Sequence, residues 1–380
     1  MANILTALAP ILFAAAQNVS AEPFGVVDGI TTNFDSKGVA KGDSVIVPVA
    51  PLRAATDFVP AAYAPQGDDA TASNVTVQIT GVKQVSWYLT GEQMRTLDNG
   101  ADSSEWARQM VSQGMRTLRN LVEADAALQI KCGAGRAYGT PGTTPFASDL
   151  TALTNLYKIL RDNGAPMADL QCVFNTAAGL NLRNQNIIQF AYQAGSDTER
   201  RTGTLLRQFG FQLSESAGIG VHTAGTSSAA TGTGVVSTST VSGQDITIGG
   251  TSISTVPGDI ISFAGDANNK YVTGAATAAT GLKSGFLNRP GLRQAASAAA
   301  ITVGGNYTAN LAFERSAVVG VFRPPLVPEN PTIKQLQISD GSGLTYLLMD
   351  VAQWGQRSWV LALAYGTKVV QQEHVALLLG

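Results

Sequence analysis

The chain has 380 residues, a formal net charge of −2, 44% hydrophobic residues and only 14% charged residues. Soluble domains usually carry about 25% charged residues, so this surface must either rely on Ser and Thr or be covered by partner chains. The near-neutral charge argues against a broadly basic nucleic-acid binder. The length allows two domains or one elaborated domain.

The few cysteines and histidines make several kinds of site improbable. Cys132 and Cys172 lack C-x-x-C spacing, which predicts reduced, structural thiols. His222 and His374 cannot supply a three-histidine metal site, and neither has a nearby acidic residue in a catalytic pattern. We therefore expect no catalytic residue, no cofactor and no metal site.

The first apolar run covers residues 4–16 and has helical spacing. We interpret it as an amphipathic arm that docks on a neighbouring subunit. The alternative is a cleaved signal peptide, because residues 19–21 resemble a cleavage site, although no Lys or Arg precedes the run. No later segment approaches the roughly 20 apolar residues of a membrane span.

Two segments with alternating apolar residues predict a long β-arm. Residues 44–49 and 74–79 read as strands, and a polar, proline-containing stretch separates them. A two-stranded ribbon is only marginally stable alone. We therefore expect this arm, and the loop between Pro51 and Asn74 above all, to lie on an adjacent subunit.

Residues 103–131 predict a long helix of about 43 Å at 1.5 Å per residue. Asp102 can cap its start in a capping box with Glu105, and Gly133 can end it. Its predicted apolar stripe consists of Trp106, Met110, Leu118, Leu121, Val122 and Leu128.

The other face of this helix is charged, and we expect it to be solvated. Gly114 lies inside the helix, where glycine costs about 1 kcal/mol relative to alanine. Two explanations stay open for it: a point at which the helix bends, or close packing of another element. The charged residues are Arg108, Arg116, Arg119, Glu123 and Asp125.

Residues 148–182 predict a helix, a strand and a helix. Ser148 is placed to cap the first helix, which ends at Asn163 and Gly164. Residues 170–174 read as a short buried strand, and Asn175 begins the next helical run. This order indicates a mixed α+β body.

Residues 223–310 are dominated by Gly, Ala, Ser and Thr. One interpretation is a low-complexity linker. A small antiparallel β-module is favoured, because turn residues separate recurring apolar strand patterns. These patterns lie at 235–238, 246–248, 260–263 and 300–303.

The last part of the chain returns to a packed body. Residues 354–357 are predicted to form a hairpin turn, and the apolar segment 375–379 indicates a docked C-terminus. Apolar strand patterns lie at 310–313, 317–322, 344–350 and 358–365.

No motif for nucleotide binding or hydrolysis is present. The glycine-rich stretch 131–136 follows a helix and lacks the P-loop pattern, and residues 218–220 open no helix. The acidic pair at 68–69 and the basic pair at 200–201 are predicted to be solvated or ion-pairing rather than catalytic or nucleic-acid binding.

Taken in order, these segments resemble the major capsid (coat) proteins of tailed double-stranded-DNA bacteriophages. That family has an α+β fold with an N-arm, an extended E-loop, a P-domain built on a long spine helix, and an A-domain. The resemblance assigns 1–33 to the N-arm, 34–86 to the E-loop region, 87–132 to the P-domain with its spine helix, 133–222 to the A-domain, 223–310 to an inserted β-domain, 311–345 to the A-domain return and 346–380 to the C-terminal strands of the P-domain.

The inserted segment narrows the resemblance to the short-tailed phage branch whose coat proteins carry an inserted β-domain. Residues 257–265 resemble a G-D-x-I-x-F-x-G type of turn and strand in that branch. Residues 311–317 and 323–325 resemble the stretch where the chain re-enters the body. The insertion here is small and poor in charge, which leaves open whether it contacts other subunits.

The resemblance implies a structural subunit and not an enzyme. It would self-assemble as pentamers and hexamers into an icosahedral virion capsid around phage DNA, in the host bacterial cytoplasm, and the procapsid would expand on maturation. The implied partners are identical subunits, a scaffolding protein, a portal, a possible decoration protein and weak, non-specific contacts with packaged DNA, without a membrane.

Some branches of the family crosslink their subunits, and Lys41 or Lys83 could be donors. No covalent crosslink is expected here, because nothing in the sequence is recognisable as the acid that such chemistry needs. Two alternatives to a capsid subunit remain. One is a secreted or surface β-rich adhesin-like protein with a cleaved N-terminal signal, and the other is an enzyme with a diffuse site.

Overall fold

The structure, a computed structural model, describes residues 22–34, 38–49, 57–60, 73–100, 103–185, 207–225, 234–236, 241–250, 253–276, 281–296, 299–328, 333–340 and 342–380. Helices in these ranges are Gly25–Gly29, Gly91–Gly100, Ser103–Gly133, Thr151–Asp162 and Thr176–Arg183, with 3-10 turns at Arg315–Ala317 and Gln372–His374. The strands are β1 (Thr31–Phe34), β2 (Ser44–Val49), β3 (Ser73–Gln78), β4 (Gly81–Thr90), β5 (Arg136–Gly139), β6 (Leu170–Phe174), β7 (Phe211–Glu215), β8 (Val221–His222), β9 (Gly234–Val236), β10 (Ile246–Gly250), β11 (Ile260–Phe263), β12 (Asp266–Val272), β13 (Gly281–Lys283), β14 (Ala299–Val303), β15 (Tyr307–Glu314), β16 (Val318–Arg323), β17 (Ile333–Ser339), β18 (Thr345–Gln353), β19 (Gln356–Val369) and β20 (Val375–Leu379).

One sheet is organised around the long strand β19. Its order is β1, β16, β19, β18, β17, and β4 also pairs with β19. The helix Ser103–Gly133, called the spine helix below, lies on this sheet. The rings of Trp106 and Trp359 meet edge to face there, with 6.3 Å between their centroids, a favoured geometry for aromatic pairs.

The spine helix has the predicted bounds but a different buried face. Leu118 and Val122 of the predicted stripe are buried, whereas Leu128 is exposed. The prediction gave weight to the largest side chains, but Ala126 and Ala127 face the core and let the helix approach the strands closely. The buried residues recur at three- and four-residue steps: Val111, Met115, Leu118, Val122, Ala126 and Ile130.

Gly114 packs against the sheet. A Cβ atom added at Gly114 would lie 3.3 Å from Leu361 Cδ2 and 3.5 Å from the ring of Trp87. Of the two explanations for this glycine, the structure therefore supports close packing of another element. Bending of the helix stays a prediction.

A larger sheet joins the remaining strands except β2 and β3. Its order is β13, β10, β9, β14, β11, β12, β5, β20, β15, β6, β7, with β8 beside β15. Strand β20 lies between β5 and β15 and all its residues are buried, which confirms the docked C-terminal segment. The strand β6 and the helix Thr176–Arg183, capped by the side chain of Asn175, are also as predicted.

The helix Thr151–Asp162 packs on this sheet. Ser148 was predicted as its cap, and that prediction is wrong: Asp149 Oδ1 accepts the hydrogen bond of the Thr151 N–H at 3.0 Å. Asp149 lies one residue closer to the helix start, so its short carboxylate reaches an unpaired N–H of the first turn.

The end of the same helix is as predicted. Gly164 adopts a φ of +78°, which glycine tolerates without steric cost. The Gly164 N–H donates to the carbonyl of Arg161 and the Ala165 N–H donates to that of Leu160. These two bonds form a Schellman motif.

The segment 223–310 supplies the strands at one end of the larger sheet. Strands β9, β10, β11 and β14 lie at the four predicted positions, whereas β12 and β13 were not predicted. The sequence of β12, DANNKYV, is polar over most of its length. Its neighbours β11 and β5 supply the hydrogen bonds that make it a strand.

The strands of segment 223–310 at this end of the sheet bury a core of their own, which includes Phe263 and Phe286. They join the body where Tyr271 of β12 pairs with Arg136 of β5. The predicted boundary between residues 345 and 346 does not separate the two sheets. In the first sheet β16 and β17 lie beside β18 and β19, and in the larger sheet β15 lies beside β20. The division into seven segments stays a prediction.

Strands β2 and β3 pair as an antiparallel ribbon, the strands predicted for the β-arm. One face of the ribbon packs on the chain's own body, where Val77 joins Val319 and Val321 in a small cluster. The Lys368 ammonium also donates to the Thr76 carbonyl at 3.0 Å. The base of the arm is therefore supported within the subunit, and Ile46 is exposed.

A two-residue turn joins β18 to β19. Gln353 pairs with Gln356, so Trp354 and Gly355 alone form the turn within the predicted 354–357. Gly355 adopts a φ of +66°, as tight hairpin turns require. Trp354 is fully exposed, at 101% of its reference area.

Candidate functional site

A buried polar chain links the spine helix to two other elements. Asp259 Oδ1 lies 2.7 Å from His222 Nε2, and His222 Nδ1 lies 3.1 Å from Lys131 Nζ. Asp259 is 0% exposed and His222 is 3% exposed. No sequence pattern predicted this pair, because Asp259 is separated from His222 by 37 residues of sequence and meets it only in the folded chain.

The Asp259 carboxylate has further partners in the turn that precedes β11. It accepts hydrogen bonds from the N–H groups of Gly225 and Val256, the latter at 2.8 Å. The Tyr307 hydroxyl donates to the Gly258 carbonyl at 2.6 Å. A buried carboxylate must be hydrogen-bonded in this way to remain charged.

The groups around His222 differ in charge. Burial lowers the pKa of Lys131, raises the pKa of the Cys132 thiol and raises the pKa of Tyr307. Cys132 and Tyr307 are therefore neutral at pH 7, and Cys132 Sγ donates to the Pro257 carbonyl at 3.5 Å.

A groove of about 250 Å³ borders Lys131. Apolar and glycine residues line most of it, and Leu128 and Val221 at its wall are exposed. A second hollow of about 310 Å³ lies elsewhere, on Thr154, Tyr157, Phe209 and Gly210. The polar chain fastens three elements together, and none of the described residues that line the groove brings a second acid or hydroxyl to Lys131.

The remaining histidine, the cysteines and the acidic residues bear on the expectations about metal sites and reduced thiols. Among the described residues, no group of three or more His, Cys, Asp and Glu is placed to hold a metal ion. His374 lies apart from the polar chain, and burial lowers its pKa. Cys132 and Cys172 are both free, and burial raises the pKa of Cys172 to about 12.

The charged face of the spine helix is not solvated as predicted, because the chain at 22–27 lies on it. Arg116 pairs with Glu22, with Arg116 Nε 3.1 Å from both carboxylate oxygens, and Asn120 Nδ2 donates to Glu22 at 2.5 Å. These hydrogen bonds, from Arg116 first and Asn120 second, lower the pKa of Glu22 to about 2.

One turn further along the helix, two more side chains hold the same segment. The Arg119 guanidinium lies 3.9 Å from the ring centroid of Phe24, a cation–π distance. Glu123 is buried at 2% exposure and accepts the N–H groups of Val26 and Val27 at 2.8 and 3.0 Å. Burial raises the pKa of Glu123.

Exposed apolar side chains mark candidate contact surfaces. Single exposed apolar residues are ordinary on soluble proteins, but Trp is enriched where proteins meet. Trp354 lies at the tip of a hairpin, and none of the described residues covers it. Other exposed apolar residues are Ile46, Phe58, Val59, Tyr88, Val221, Leu282 and Leu326.

Several predicted features lie outside the described residues. These are the arm at 4–16, the helix cap at Asp102, most of the loop between Pro51 and Asn74, and the pairs at 68–69 and 200–201. In the part of the chain that is described, no helix is long and apolar enough to cross a membrane.

The fold was compared with solved structures. The capsid structure of cyanophage P-SCSP1u matches 95% of this chain and 89% of its own, at 13% identity and a TM-score of 0.51. A structure from Mycobacterium phage Che8 matches 96% of this chain and 90% of its own, at 14% identity and a TM-score of 0.47. The capsid structure of a native GTA particle matches 96% of this chain and 92% of its own, at 9% identity and a TM-score of 0.47.

No protein-family model matches the sequence, and no curated protein matches it either. The fold assignment rests on the cyanophage structure. The chain shares the fold of that cyanophage capsid structure, and the fold is mixed α+β as predicted. The inserted β-domain, and with it the short-tailed branch, stays a prediction.

Proposed function

We propose that the protein is the major structural subunit of a phage capsid, which assembles from many identical copies. The observation that carries the proposal is the match of nearly the whole chain, 95% of it, to a cyanophage capsid structure. At 13% identity that match defines the fold, and a fold alone does not fix a function. The surface of the subunit supplies the further support.

Three surface features support an assembly role. The β2–β3 ribbon exposes Ile46, the hairpin tip exposes Trp354, and the chain is poor in charge at 14%. A shell subunit touches several neighbours, so individually modest contacts add up strongly. A freely soluble monomer has no need of such exposed groups.

The proposal includes the finer steps that the resemblance implies. Subunits would form pentamers and hexamers with a scaffolding protein and a portal, in the host cytoplasm, and the shell would enclose the DNA genome and expand on maturation. Contacts with DNA would be weak because the net charge is −2. The arm at 1–33 and the loop between Pro51 and Asn74 would lie over neighbouring subunits.

Electron microscopy of the purified full-length protein tests the proposal. Negative-stain images, taken with and without a co-expressed scaffolding protein, are expected to show closed shells or tubes. Dispersed particles of monomer size under both conditions would contradict it. Mass spectrometry of the N-terminus on the same sample separates the capsid from the adhesin, which would lack its first 21 or so residues.

A further inference from the structure

We propose that the apolar arm at residues 4–16 docks in the groove beside Lys131 of its own subunit before assembly. The arm lies outside the described residues, so the proposal rests on the groove and on the place where the described chain begins. It concerns the free subunit, whereas a position over neighbouring subunits is proposed for the shell. It therefore goes beyond the capsid function and does not depend on it.

The groove has an apolar surface that the described chain leaves exposed. The spine helix forms one wall and residues 218–221 form the other. Leu128 on the first wall is 45% exposed and Val221 on the second is 69% exposed. A Cβ atom added at Gly220 would meet nothing within 4 Å, so the space beside this wall is open. Because removing such surface from water is favourable, the groove favours an apolar occupant.

The groove and the arm match in size and in charge. A cavity of about 150 Å³ holds a benzene molecule, so a groove of about 250 Å³ has room for one or two leucine side chains. The arm carries Leu5, Leu8 and Leu12 on its predicted apolar face. Lys131 is the one charged residue among the described residues that line the groove, and its ammonium lies 3.1 Å from a buried imidazole nitrogen. Residues 1–21 contain no charged residue, so the arm brings no charge that burial would penalise.

The first described residues lead the chain toward the groove. Phe24 forms an antiparallel bridge with Ser216, and the Ala217 N–H donates to the Pro23 carbonyl at 3.1 Å. In an antiparallel pair, the residues before one partner lie opposite the residues after the other. The chain that precedes Pro23 therefore points along residues 218–221, which form the second wall of the groove.

The tether between the arm and the body is long enough and is anchored. Residues 17–21 join the arm to Glu22 and span at most about 18 Å when extended. The helix wall of the groove, from Ala124 to Lys131, is only about 10 Å long. Glu22 is held by Arg116. A short tether gives the arm an effective concentration on the order of millimolar at its own groove, which favours it over the arm of a second copy in dilute solution.

Disulfide trapping in the full-length, unassembled protein tests the docking. Leu128→Cys is combined in turn with Leu5→Cys, Leu8→Cys and Leu12→Cys, so that no register of the arm is assumed. After treatment with oxidised glutathione, at least one pair is expected to form a disulfide within one chain, which requires Cα atoms within about 7 Å. The product is a faster-migrating monomer on a non-reducing gel, and mass spectrometry identifies the linked peptides.

The matched control combines the same arm cysteines with Leu282→Cys. Leu282 is also an exposed leucine, at 68%, but it lies on β13 at an edge of the larger sheet. These control pairs are expected to stay reduced. Each arm variant alone measures the background from the natural cysteines, Cys132 and Cys172.

Val221→Asp tests whether the groove itself holds the arm. A carboxylate placed against an apolar occupant loses hydration, so the yield of trapped monomer is expected to fall. Leu282→Asp introduces the same carboxylate at the control position and is expected to leave the yield unchanged. Val221 and Leu282 are 69% and 68% exposed, so both variants are expected to fold.

The proposal is overturned when no pair with Leu128→Cys is trapped above the Leu282→Cys control. A disulfide that appears only as a covalent dimer, with a yield that falls on dilution, overturns it as well, because the arm in the groove then belongs to a second copy. So does a purified chain whose mass lacks the arm, or an unchanged yield in Val221→Asp. None of these readings depends on shell formation, so a failure of the docking is distinguishable from a failure of the capsid function.

Discussion

The carboxylate of Glu123 accepts a hydrogen bond from the backbone N–H of Val26 at 2.8 Å, across 97 residues of sequence. Together with the bond from Val27 it satisfies N–H groups in the first turn of the helix Gly25–Gly29, which have no partner inside that helix. Because Glu123 is buried, the N-terminal segment and the spine helix depend on one another.

Glu123→Ala is expected to destabilise the subunit by about 2 kcal/mol or more, because two buried N–H groups lose their acceptor. Urea unfolding of the unassembled protein measures this change. Gln113→Ala is the control, since Gln113 is exposed on the same helix, and it is expected to be close to neutral. A Glu123→Ala loss no larger than that of the control would contradict the assigned role.

The stability of the subunit should depend on pH in two opposite ways, because the pKa of Glu123 is raised and the pKa of Glu22 is lowered. The pKa of Glu123 is raised by burial, so its contribution favours the folded state at low pH and is lost as the pH rises through the raised pKa. The pKa of Glu22 is lowered to about 2 by Arg116 and Asn120, so its contribution is present at neutral pH and is lost as the pH falls toward 2.

Two substitutions separate these contributions. As the pH rises above about 4.5, the ordinary range of a glutamate, the wild type is expected to lose stability relative to Glu123→Gln. As the pH falls, the wild type is expected to lose stability relative to Glu22→Gln. Urea unfolding at several pH values measures both, and parallel curves for either pair would refute the corresponding contact.

Features of the fold that depend on neighbouring residues could be predicted from the sequence, whereas contacts between distant residues could not. The spine helix, β6 and the helix start at Asn175 follow local patterns, so the sequence predicts their bounds. The contacts of Glu123 with Val26 and of His222 with Asp259 join residues far apart in the chain, and no local pattern encodes them. For Glu123 the available signal was chemical, because it is an acid on a helix face that a neighbouring segment could cover.

Trp354 is expected to contribute to assembly and not to the fold of the subunit. Its side chain is fully exposed, and exposed Trp residues that become buried at an interface often account for more than about 2 kcal/mol of binding. Trp354→Ala should therefore leave urea unfolding of the monomer unchanged and raise the protein concentration needed for shells, measured by light scattering and microscopy. Tyr88→Ala, another exposed aromatic residue on the same sheet, is the comparison.

Mature particles are expected to yield intact monomers on denaturing gels. Lys41 and Lys83 are the lysines considered as crosslink donors, and both are exposed on the described surface. No carboxylate is bonded to either in the described structure, so neither has the acid that an amide-forming reaction needs to accept its proton. A ladder of covalent multimers that survives boiling in detergent and reductant would show the prediction to be wrong.

Gly114→Val is expected to destabilise the subunit by about 1–3 kcal/mol, the usual cost of overfilling a packed core. Its Cβ would already lie 3.3 Å from Leu361 and 3.5 Å from Trp87, and the added methyl groups have no room between the helix and the sheet.

Gly114→Ala separates the cost of the Cβ contact from the effect of helix propensity, because a gain of about 1 kcal/mol in helix propensity opposes the tight contact. Near-equal stability of Gly114→Ala and wild type, with a clear loss for Gly114→Val, is the result expected from close packing. Equal losses for both would mean that a Cβ atom alone overfills the contact. No loss for Val would remove the packing explanation and leave bending of the spine helix as the reason for this glycine.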